Sequence, residues 1–362
     1  MNPTVGRSPA PTPFRRVLVV GAGAVGSFLG ALLGSVGHDV TLVRIFEPDS
    51  ERPLDMIRPD GSRLTIPVHR FTRTEDAPEP DLIVVAVKMP MLREALAPTL
   101  RWPNVPTLTV ENGIGAETIA AEIRPNAAMI AGSLTAPIRL AAADAVEWMG
   151  RGGLGLAAAD DAARPLLRPL LDDFGRAGLL VRELPAAEPM KWSKLLTNLI
   201  ANATGAIVGM DAAAIYRDPR LYGVERRQLL EAMAVMSSRG LEPVALPRAP
   251  VPWLVRGMRL PAWLGRPIMV RVVGGARAGK APSLLIHVQS APPDAPCAEP
   301  TEVEWMNGAV ARIGAETGVP TPVNTRLTAL VEEVATDPVR RAWFRNRPDR
   351  LVAEIEAASQ RP

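Results

Sequence analysis

The arrangement of apolar positions differs between the two halves of the chain. In the first half, short and mostly apolar runs follow one another, each with the length of a strand buried on both faces. Helical segments separate these runs, which is the pattern of a doubly wound parallel sheet. We assign to that one sheet the runs Val17–Val20, Asp39–Arg44, Asp81–Val87, Thr107–Val110, Ala128–Ser133 and Ala145–Ala157.

In the second half the periodicity becomes helical. Apolar residues recur at helical spacing, and no strand alternation competes with them. The clearest segments are Pro189–Val208, Arg220–Ser238, Glu302–Thr317 and Thr325–Ala335. We therefore predict a mainly α-helical second domain. Residues 242–300 are rich in Pro, Arg and Gly and fit neither pattern, so their role as a lid or as a partner surface stays open.

The composition excludes several classes of function. The 41 basic and 38 acidic residues give a net charge of +3, without a basic block, so nucleic acid is not an expected partner. A single cysteine and three scattered histidines provide no internal disulfide and no metal-ligand spacing. We therefore expect no metal and a reducing, cytoplasmic setting. Arg15 and Arg16 before an apolar run resemble a membrane anchor, but the glycines in that run favour another role, and we expect no membrane partner.

A glycine pattern follows the first predicted strand and leads into a helical pattern. With GxGxxG spacing, it consists of Gly21, Ala22, Gly23, Ala24, Val25 and Gly26. In such a segment the first glycine permits a tight turn, and the second lets the backbone approach a pyrophosphate. The third lets the helix pack closely on the strand, and the helix N-terminus offers N–H groups to the phosphates. All six residues are predicted to contact a dinucleotide.

The residue at the end of the second predicted strand distinguishes between the two dinucleotides. NAD-selective segments place an acidic residue there, whereas this chain has Arg44. A guanidinium pairs bidentately with a 2′-phosphate, so Arg44 predicts NADPH as the cofactor. We accordingly divide the chain into a disordered tail at 1–13, a Rossmann-type NADP-binding domain at 14–185 and a helical substrate and catalytic domain at 186–362.

Two of the few lysines lie where catalytic chemistry is expected. Lys88 follows a predicted strand, at the edge of an open α/β sheet where ligands bind; a solvated loop lysine is the other interpretation. Lys194, Asn198 and Asn202 recur every four residues in an apolar stretch, which predicts a polar stripe along one face of a single helix. Such a stripe lines a polar cleft or faces solvent. In a cleft, the lysine polarises a carbonyl and donates a proton, while the amides hold hydroxyl or carboxylate groups.

Four ordered blocks make the chain resemble a known enzyme family. They are GAGAVG at 21–26, ENGIG at 111–115, WSKLLTNLIAN at 192–202 and TEVEWMNG at 301–308. Together they resemble the ketopantoate reductase family, whose members reduce 2-dehydropantoate to pantoate with NADPH in pantothenate biosynthesis. The resemblance spans residues 17–335. It implies an NADP-dependent oxidoreductase that acts on a small 2-oxo acid. The Trp and Leu residues of 242–300 leave a homodimer contact as one open role for that segment.

The resemblance also implies a role for each matching residue. Lys194 matches the catalytic lysine that polarises the ketone and protonates the new alkoxide. Glu302 matches the glutamate that closes over the cofactor and orders that lysine; a carboxylate at a helix N-terminus is a second interpretation, compatible with the first. Lys88 matches a cofactor contact, and Asn112 matches an asparagine beside both nicotinamide and substrate. The matches to substrate contacts are Asn198, Asn202 and Ser283.

The chain departs from the family pattern where substrate is expected to bind. The segments 242–280 and 283–302 are long, and His287 stands where an aspartate is usual. An expected third asparagine is not evident. These departures leave a different 2-oxo acid, or a β-hydroxyacid, as alternative substrates of a reductase with the same fold. A non-catalytic protein that binds or senses NADP(H) is the alternative from another class, and the retained lysine and glutamate argue against it.

Overall fold

The computed structural model describes residues 13–44, 50–276 and 281–360, so the predicted tail at 1–13 lies outside it except for residue 13. Within these ranges the strands are β1 (Arg16–Val20), β2 (Asp39–Val43), β3 (Leu54–Ile57), β4 (Arg63–Ile66), β5 (His69–Phe71), β6 (Leu82–Val85), β7 (Thr107–Thr109), β8 (Met129–Leu134), β9 (Ile138–Ala142), β10 (Ala145–Trp148), β11 (Gly153–Ala158) and β12 (Leu180–Glu183). The α-helices are α1 (Ala24–Ser35), α2 (Leu92–Leu96), α3 (Ala116–Ile123), α4 (Arg164–Arg176), α5 (Ala187–Leu199), α6 (Ala203–Val208), α7 (Ala212–Arg217), α8 (Pro219–Ser238), α9 (Val251–Arg259), α10 (Ala262–Ala276), α11 (Ser283–Gln289), α12 (Asn307–Thr317), α13 (Pro322–Thr336), α14 (Pro338–Phe344) and α15 (Pro348–Ser359).

The main sheet has eight strands in the order β12-β11-β8-β7-β6-β1-β2-β5. All neighbours are parallel except β8 and β11, which run antiparallel. From β1 the chain builds outward to β2 and β5, then returns to the other side of β1 with β6. This reversal of direction is the topological switch point at which doubly wound sheets bind their ligands. The predicted fold class, a doubly wound sheet followed by a helical region, is confirmed.

A second sheet, which the sequence did not predict, has the order β4-β3-β10-β9. The prediction that the whole of Ala145–Ala157 belongs to the main sheet is therefore wrong, because β10 pairs with β3 and β9 and only β11 joins β8. The second sheet packs against α1, with Phe28 and Trp148 edge to face at 5.5 Å between ring centroids. This cover explains why α1 is apolar on nearly all sides: it lies between two sheets.

Arg124, just after α3, is a charged side chain in the interior of the main-sheet region, with only 1% of its surface exposed. Its guanidinium donates to the carbonyls of Trp102 and Val105 at 2.8 and 2.9 Å. It also donates to Thr99 and to Thr107 Oγ1. Burial lowers the pKa of Arg124 to about 10, so the side chain stays charged at neutral pH. Arg124 satisfies loop carbonyls that would otherwise be buried without donors.

The second half is helical, as predicted, and its longest helix is α8. Asp218 caps α8 by accepting from Arg220 N and Leu221 N, and it pairs with the Arg220 guanidinium at 2.9 Å. The little-patterned region 242–300 contains α9, α10 and α11, and it exposes 68% of Trp253 and 74% of Trp263. Across the ranges that the structure describes, no helix is both long and apolar enough to cross a membrane.

The described residues fall into two compact units that we treat separately. The sheet unit comprises those within Met1–Glu111, Ala116–Ala187 and Leu246–Ala249, and the helical unit comprises those within Asn112–Gly115, Glu188–Ala245 and Pro250–Pro362. The turn at 112–115 follows β7 of the main sheet in the chain and yet belongs to the helical unit. The sequence-based boundary at 185 remains a prediction.

Candidate active site

In the sheet unit, the glycine segment follows β1 at the switch point of the sheet. Gly21 has a φ of +98° and lies against Ala86 and Val87 at the end of β6. A methyl group on Gly26 would come within 2.1 Å of the Gly21 carbonyl oxygen, so only glycine lets α1 begin this close to the turn. A methyl group on Gly23 would meet no atom of the described residues within 4 Å, which leaves open space beside it in that part of the structure. The turn thus presents the N-terminus of α1, whose first N–H groups have no partner within the helix, beside this open space.

The other two predicted cofactor residues of the sheet unit also follow strands. Arg44 comes directly after β2; its backbone N–H donates to Phe71 O at 3.0 Å, and its half-buried side chain approaches Ala143 O at 3.5 Å. Lys88 follows β6, is exposed, and begins the short 3₁₀ helix Met89–Met91. Since β1, β2 and β6 are adjacent and parallel, residues after all three lie along one edge of the sheet.

In the helical unit, the turn at 112–115 is held by two contacts. Asn198 Nδ2 donates to Asn112 Oδ1 at 2.9 Å, and Ile114 N donates to Trp305 O at 2.9 Å. Gly113 has a φ of +92°, and a methyl group there would lie 2.4 Å from Trp305 O. These two hydrogen bonds therefore join three segments that are distant in sequence, around positions 112, 198 and 305.

The two half-buried amides keep hydrogen-bonding capacity. Among the described residues, Asn112 Nδ2 and Asn198 Oδ1 bond to no protein group, which leaves one donor group and one acceptor for a ligand. Lys194 precedes Asn198 by four residues in α5, so both side chains lie on one face of that helix. Lys194 is half-buried between Ser193 and Leu195, which are fully buried.

The predicted single helix through Lys194, Asn198 and Asn202 is wrong at its end. α5 stops at Leu199, and Ala201 adopts a left-handed conformation with a φ of +52° before α6 begins. A non-glycine residue in that conformation cannot continue a right-handed helix. Asn202 therefore lies beyond the break rather than on the stripe of Lys194 and Asn198.

The carboxamide of Asn202 is buried and occupied by contacts within the helical unit. Its Oδ1 accepts from Leu284 N at 2.9 Å, near the start of α11, and its Nδ2 lies 3.4 Å from Met306 Sδ. Ser283 is the first residue of α11 and is exposed. For both residues, contact with substrate stays a prediction.

Glu302 is half-buried and comes immediately before a 3₁₀ helix, Val303–Trp305, which leads into α12. The sequence did not predict this irregular stretch, since it assigned helix from 302 onward. The side chain of Glu302 does not cap the 3₁₀ helix, so a simple capping role is not observed. Within the described residues, no group of three or more His, Cys, Asp or Glu side chains is arranged to hold a metal ion.

Sequence reasoning did not single out two buried polar residues of α8 that support this region. Glu225 Oε2 accepts from Ala201 N at 2.7 Å, and Gln228 Nε2 donates to Leu199 O at 3.2 Å, so both stabilise the break after α5. Gln228 Oε1 also accepts from Asn307 Nδ2 at 2.9 Å. The available signal was a pair of polar side chains, three residues apart, on the otherwise apolar face of α8.

Comparison with known proteins finds a family match in each half of the chain. Residues 17–161 match the family model for ketopantoate reductase PanE/ApbA, and residues 186–335 match the model for its C-terminal part. A 2-dehydropantoate 2-reductase from Pyrococcus horikoshii is 30% identical over 238 residues, which cover 63% of this chain and 75% of the relative. Helices α14 and α15 lie beyond the ranges of the two family models.

Solved structures share the fold at low sequence identity. A PanE/ApbA family ketopantoate reductase from Ralstonia eutropha JMP134 superposes with a TM-score of 0.72 at 20% identity, covering 88% of this chain and 98% of that one. D-mandelate dehydrogenase, in a ternary structure with NADH and anilino(oxo)acetate, superposes with a TM-score of 0.69 at 20% identity, covering 91% and 99%.

Proposed function

Because this chain belongs to the ketopantoate reductase family, we propose that it reduces a 2-oxo acid to the 2-hydroxy acid with NADPH, and that 2-dehydropantoate is its substrate. The observation that carries the proposal is the joining of three segments in the helical unit. The bond from Asn198 to Asn112 and the bond from Ile114 to Trp305 bring the segments of the predicted catalytic residues into one body.

The sheet unit fits a dinucleotide. Open space beside Gly23, next to the N-terminus of α1, provides room for a pyrophosphate and N–H donors to bind it. Arg44 after β2 supplies a guanidinium for a 2′-phosphate. When bound, NADPH supplies the hydride that reduces the keto carbon.

The proposed work of the helical unit is to bind the acid and to control charge on its oxygen. As the keto carbon is reduced, negative charge develops on the oxygen, and the Lys194 ammonium stabilises that charge and gives its proton from Nζ. The donor group of Asn112 and the acceptor of Asn198 orient the polar groups of the substrate. Glu302 orders the ammonium of Lys194 by charge. Since only the developing alkoxide carries this charge, the lysine lowers the barrier more than it tightens substrate binding.

The experiment follows the loss of nicotinamide absorbance with purified protein, NADPH and a panel of 2-oxo acids that includes 2-dehydropantoate and an aromatic 2-oxo acid. We expect turnover with 2-dehydropantoate. Lys194→Met is expected to lower kcat by a factor of about 10² or more. Lys194→Arg, which keeps the charge but is a poor proton donor, is expected to recover part of that loss.

Three results would overturn parts of the proposal. Tight NADPH binding without turnover of any acid would favour the sensing alternative. Turnover by Lys194→Met at the rate of the unmodified protein would remove the lysine from the mechanism. A clear preference for the aromatic acid would keep the reaction and change the substrate; the structural likeness to D-mandelate dehydrogenase is the reason to include that acid.

A further inference from the structure

We infer that Gln228 is a positioning residue for the proposed reaction, an inference that rests on the proposed function. This one side chain contacts both segments that carry the predicted catalytic groups. Its Nε2 donates to the Leu199 carbonyl, the last residue of the helix with Lys194, at 3.2 Å. Its Oε1 accepts from Asn307 Nδ2, shortly after Glu302, at 2.9 Å. Gln228 thereby sets the spacing between the two segments.

The orientation of the Gln228 amide is fixed by its neighbours. Its Nε2 also donates to Glu225 Oε1 at 2.8 Å, and a carboxylate in this role accepts only from the nitrogen side of the amide. Asn307 Nδ2 gives its second N–H to Asn324 Oδ1 at 2.9 Å, and Asn324 Nδ2 donates to Glu231 Oε2 at 2.7 Å. Each hydrogen bond in this series has a defined donor and acceptor. Reversing one amide therefore breaks bonds on both sides of it.

Burial makes this network rigid. Glu225, Gln228, Asn307 and Asn324 have 0% of their surface exposed, so water cannot replace a lost partner without opening the core. Every broken bond leaves a buried polar group unsatisfied, which is costly in a low-dielectric interior. The network therefore admits one arrangement of α5, α8 and α12 rather than several.

The break between α5 and α6 needs side-chain contacts to stabilise it. Ala201 is held in a left-handed conformation, which is unfavourable for a residue with a Cβ, and its N–H is secured by Glu225 at 2.7 Å. The break ends the helix one residue after Asn198, and the bond from Gln228 to Leu199 O joins this last turn of α5 to α8. Displacement of a reacting group by about 1 Å is enough to cost a factor of 10² in rate.

The test replaces Gln228 by methionine, which has a similar length and lacks all three hydrogen bonds. The expected result is a fall in kcat of about 10- to 100-fold, with a smaller change in the dissociation constant of NADPH, because most of the proposed cofactor contacts belong to the sheet unit. The matched control is Ile355→Val in α15, a fully buried position outside the network. All variants are assayed at one temperature, well below the lowest of their melting temperatures. Equal kcat values for Gln228→Met and the control would show a purely structural role and overturn the inference.

A second measurement does not depend on turnover. Hydrogen–deuterium exchange of Gln228→Met is expected to accelerate in both 198–203 and 302–308, whereas Ile355→Val leaves both segments protected. Faster exchange in one segment alone would overturn the coupling, whether or not the wild type reduces any 2-oxo acid. An inactive wild type would instead count against the proposed function. If Gln228→Met does not fold, Asn307→Ala is measured in the same two ways; it removes the bonds from Asn307 to Gln228 and to Asn324 and keeps the bond from Gln228 to Leu199.

Discussion

Replacement of Gly26 by alanine tests the proposed cofactor site most directly. The new methyl group would lie 2.1 Å from the Gly21 carbonyl oxygen, while an ordinary carbon–oxygen contact is about 3.4 Å. The start of α1 and the turn must therefore separate by about 1.3 Å. A shift of that size lengthens an N–H···O bond from about 2.9 Å to beyond 4 Å, which abolishes it.

The loss in affinity follows from the number of bonds affected. Two backbone bonds to a phosphate, each worth about 1.5 kcal/mol as a bond to a charged group, correspond to about 3 kcal/mol. That is roughly a 100-fold rise in the dissociation constant of NADPH. Fluorescence titration of the bound nicotinamide measures it directly.

The control is another glycine-to-alanine change in a helix of the same unit. Gly175 lies in α4, and among the described residues a methyl group there meets only Val181 Cγ2, at an ordinary 3.8 Å. Gly175→Ala should leave NADPH affinity unchanged and hold or raise the melting temperature, because alanine favours the helix by about 0.5–1 kcal/mol. If Gly26→Ala bound NADPH with wild-type affinity, the proposed role of the close approach between α1 and the turn would be refuted.

Three further substitutions test other parts of the molecule. Arg44→Glu should raise the dissociation constant of NADPH at least tenfold and that of NADH far less, because only NADPH has a 2′-phosphate for the glutamate to repel. Equal changes in the two dissociation constants, measured by titration, would contradict this. Asp218→Ala should cost about 1 kcal/mol of unfolding free energy at pH 7 as a lost helix cap. The pKa of Asp218 is lowered, chiefly by the hydrogen bond from the Arg220 side chain. The stabilisation by the Asp218 carboxylate is therefore fully present above the ordinary carboxyl pKa and is lost as the pH falls through the lowered pKa of the folded state. An equal loss of unfolding free energy at pH 7 and at pH 2, measured by urea titration, would contradict this. Arg124→Met should lower the free energy of unfolding by about 3 kcal/mol, because the backbone carbonyls between positions 99 and 105 lose their donors. A denaturation midpoint equal to that of the wild type would show that these carbonyls gain other donors.

Local patterns were enough to predict the inner strands of the main sheet and the glycine turn, but not the two edge strands β5 and β12. Buried parallel strands are short apolar runs, and the turn has its own residue spacing, so both are visible without knowledge of distant contacts. The second sheet was missed for the opposite reason. In β4 and β9 most positions are at least partly exposed, and the strands gain their order from pairing across the chain rather than from a pattern of their own.

The candidate site shows the same division. Helical spacing correctly placed Lys194 and Asn198 on one face of α5, but it carried that face one turn too far, to Asn202. The helix stops because side chains from α8 stabilise Ala201 in a left-handed conformation, and periodicity within the segment contains no trace of them. Long-range hydrogen bonds override local preference here.

The turn at 112–115 has a consequence for the modularity of this protein. A fragment that begins near residue 188 would carry Lys194, Asn198 and Glu302. It would lack Asn112, which accepts the hydrogen bond from Asn198, and Ile114, whose N–H donates to the Trp305 carbonyl. The helical unit therefore cannot be exchanged as one continuous segment of the chain. A chimera with another reductase must transplant four residues from the end of β7 together with the helices, and a circular permutant must keep them joined to the sheet.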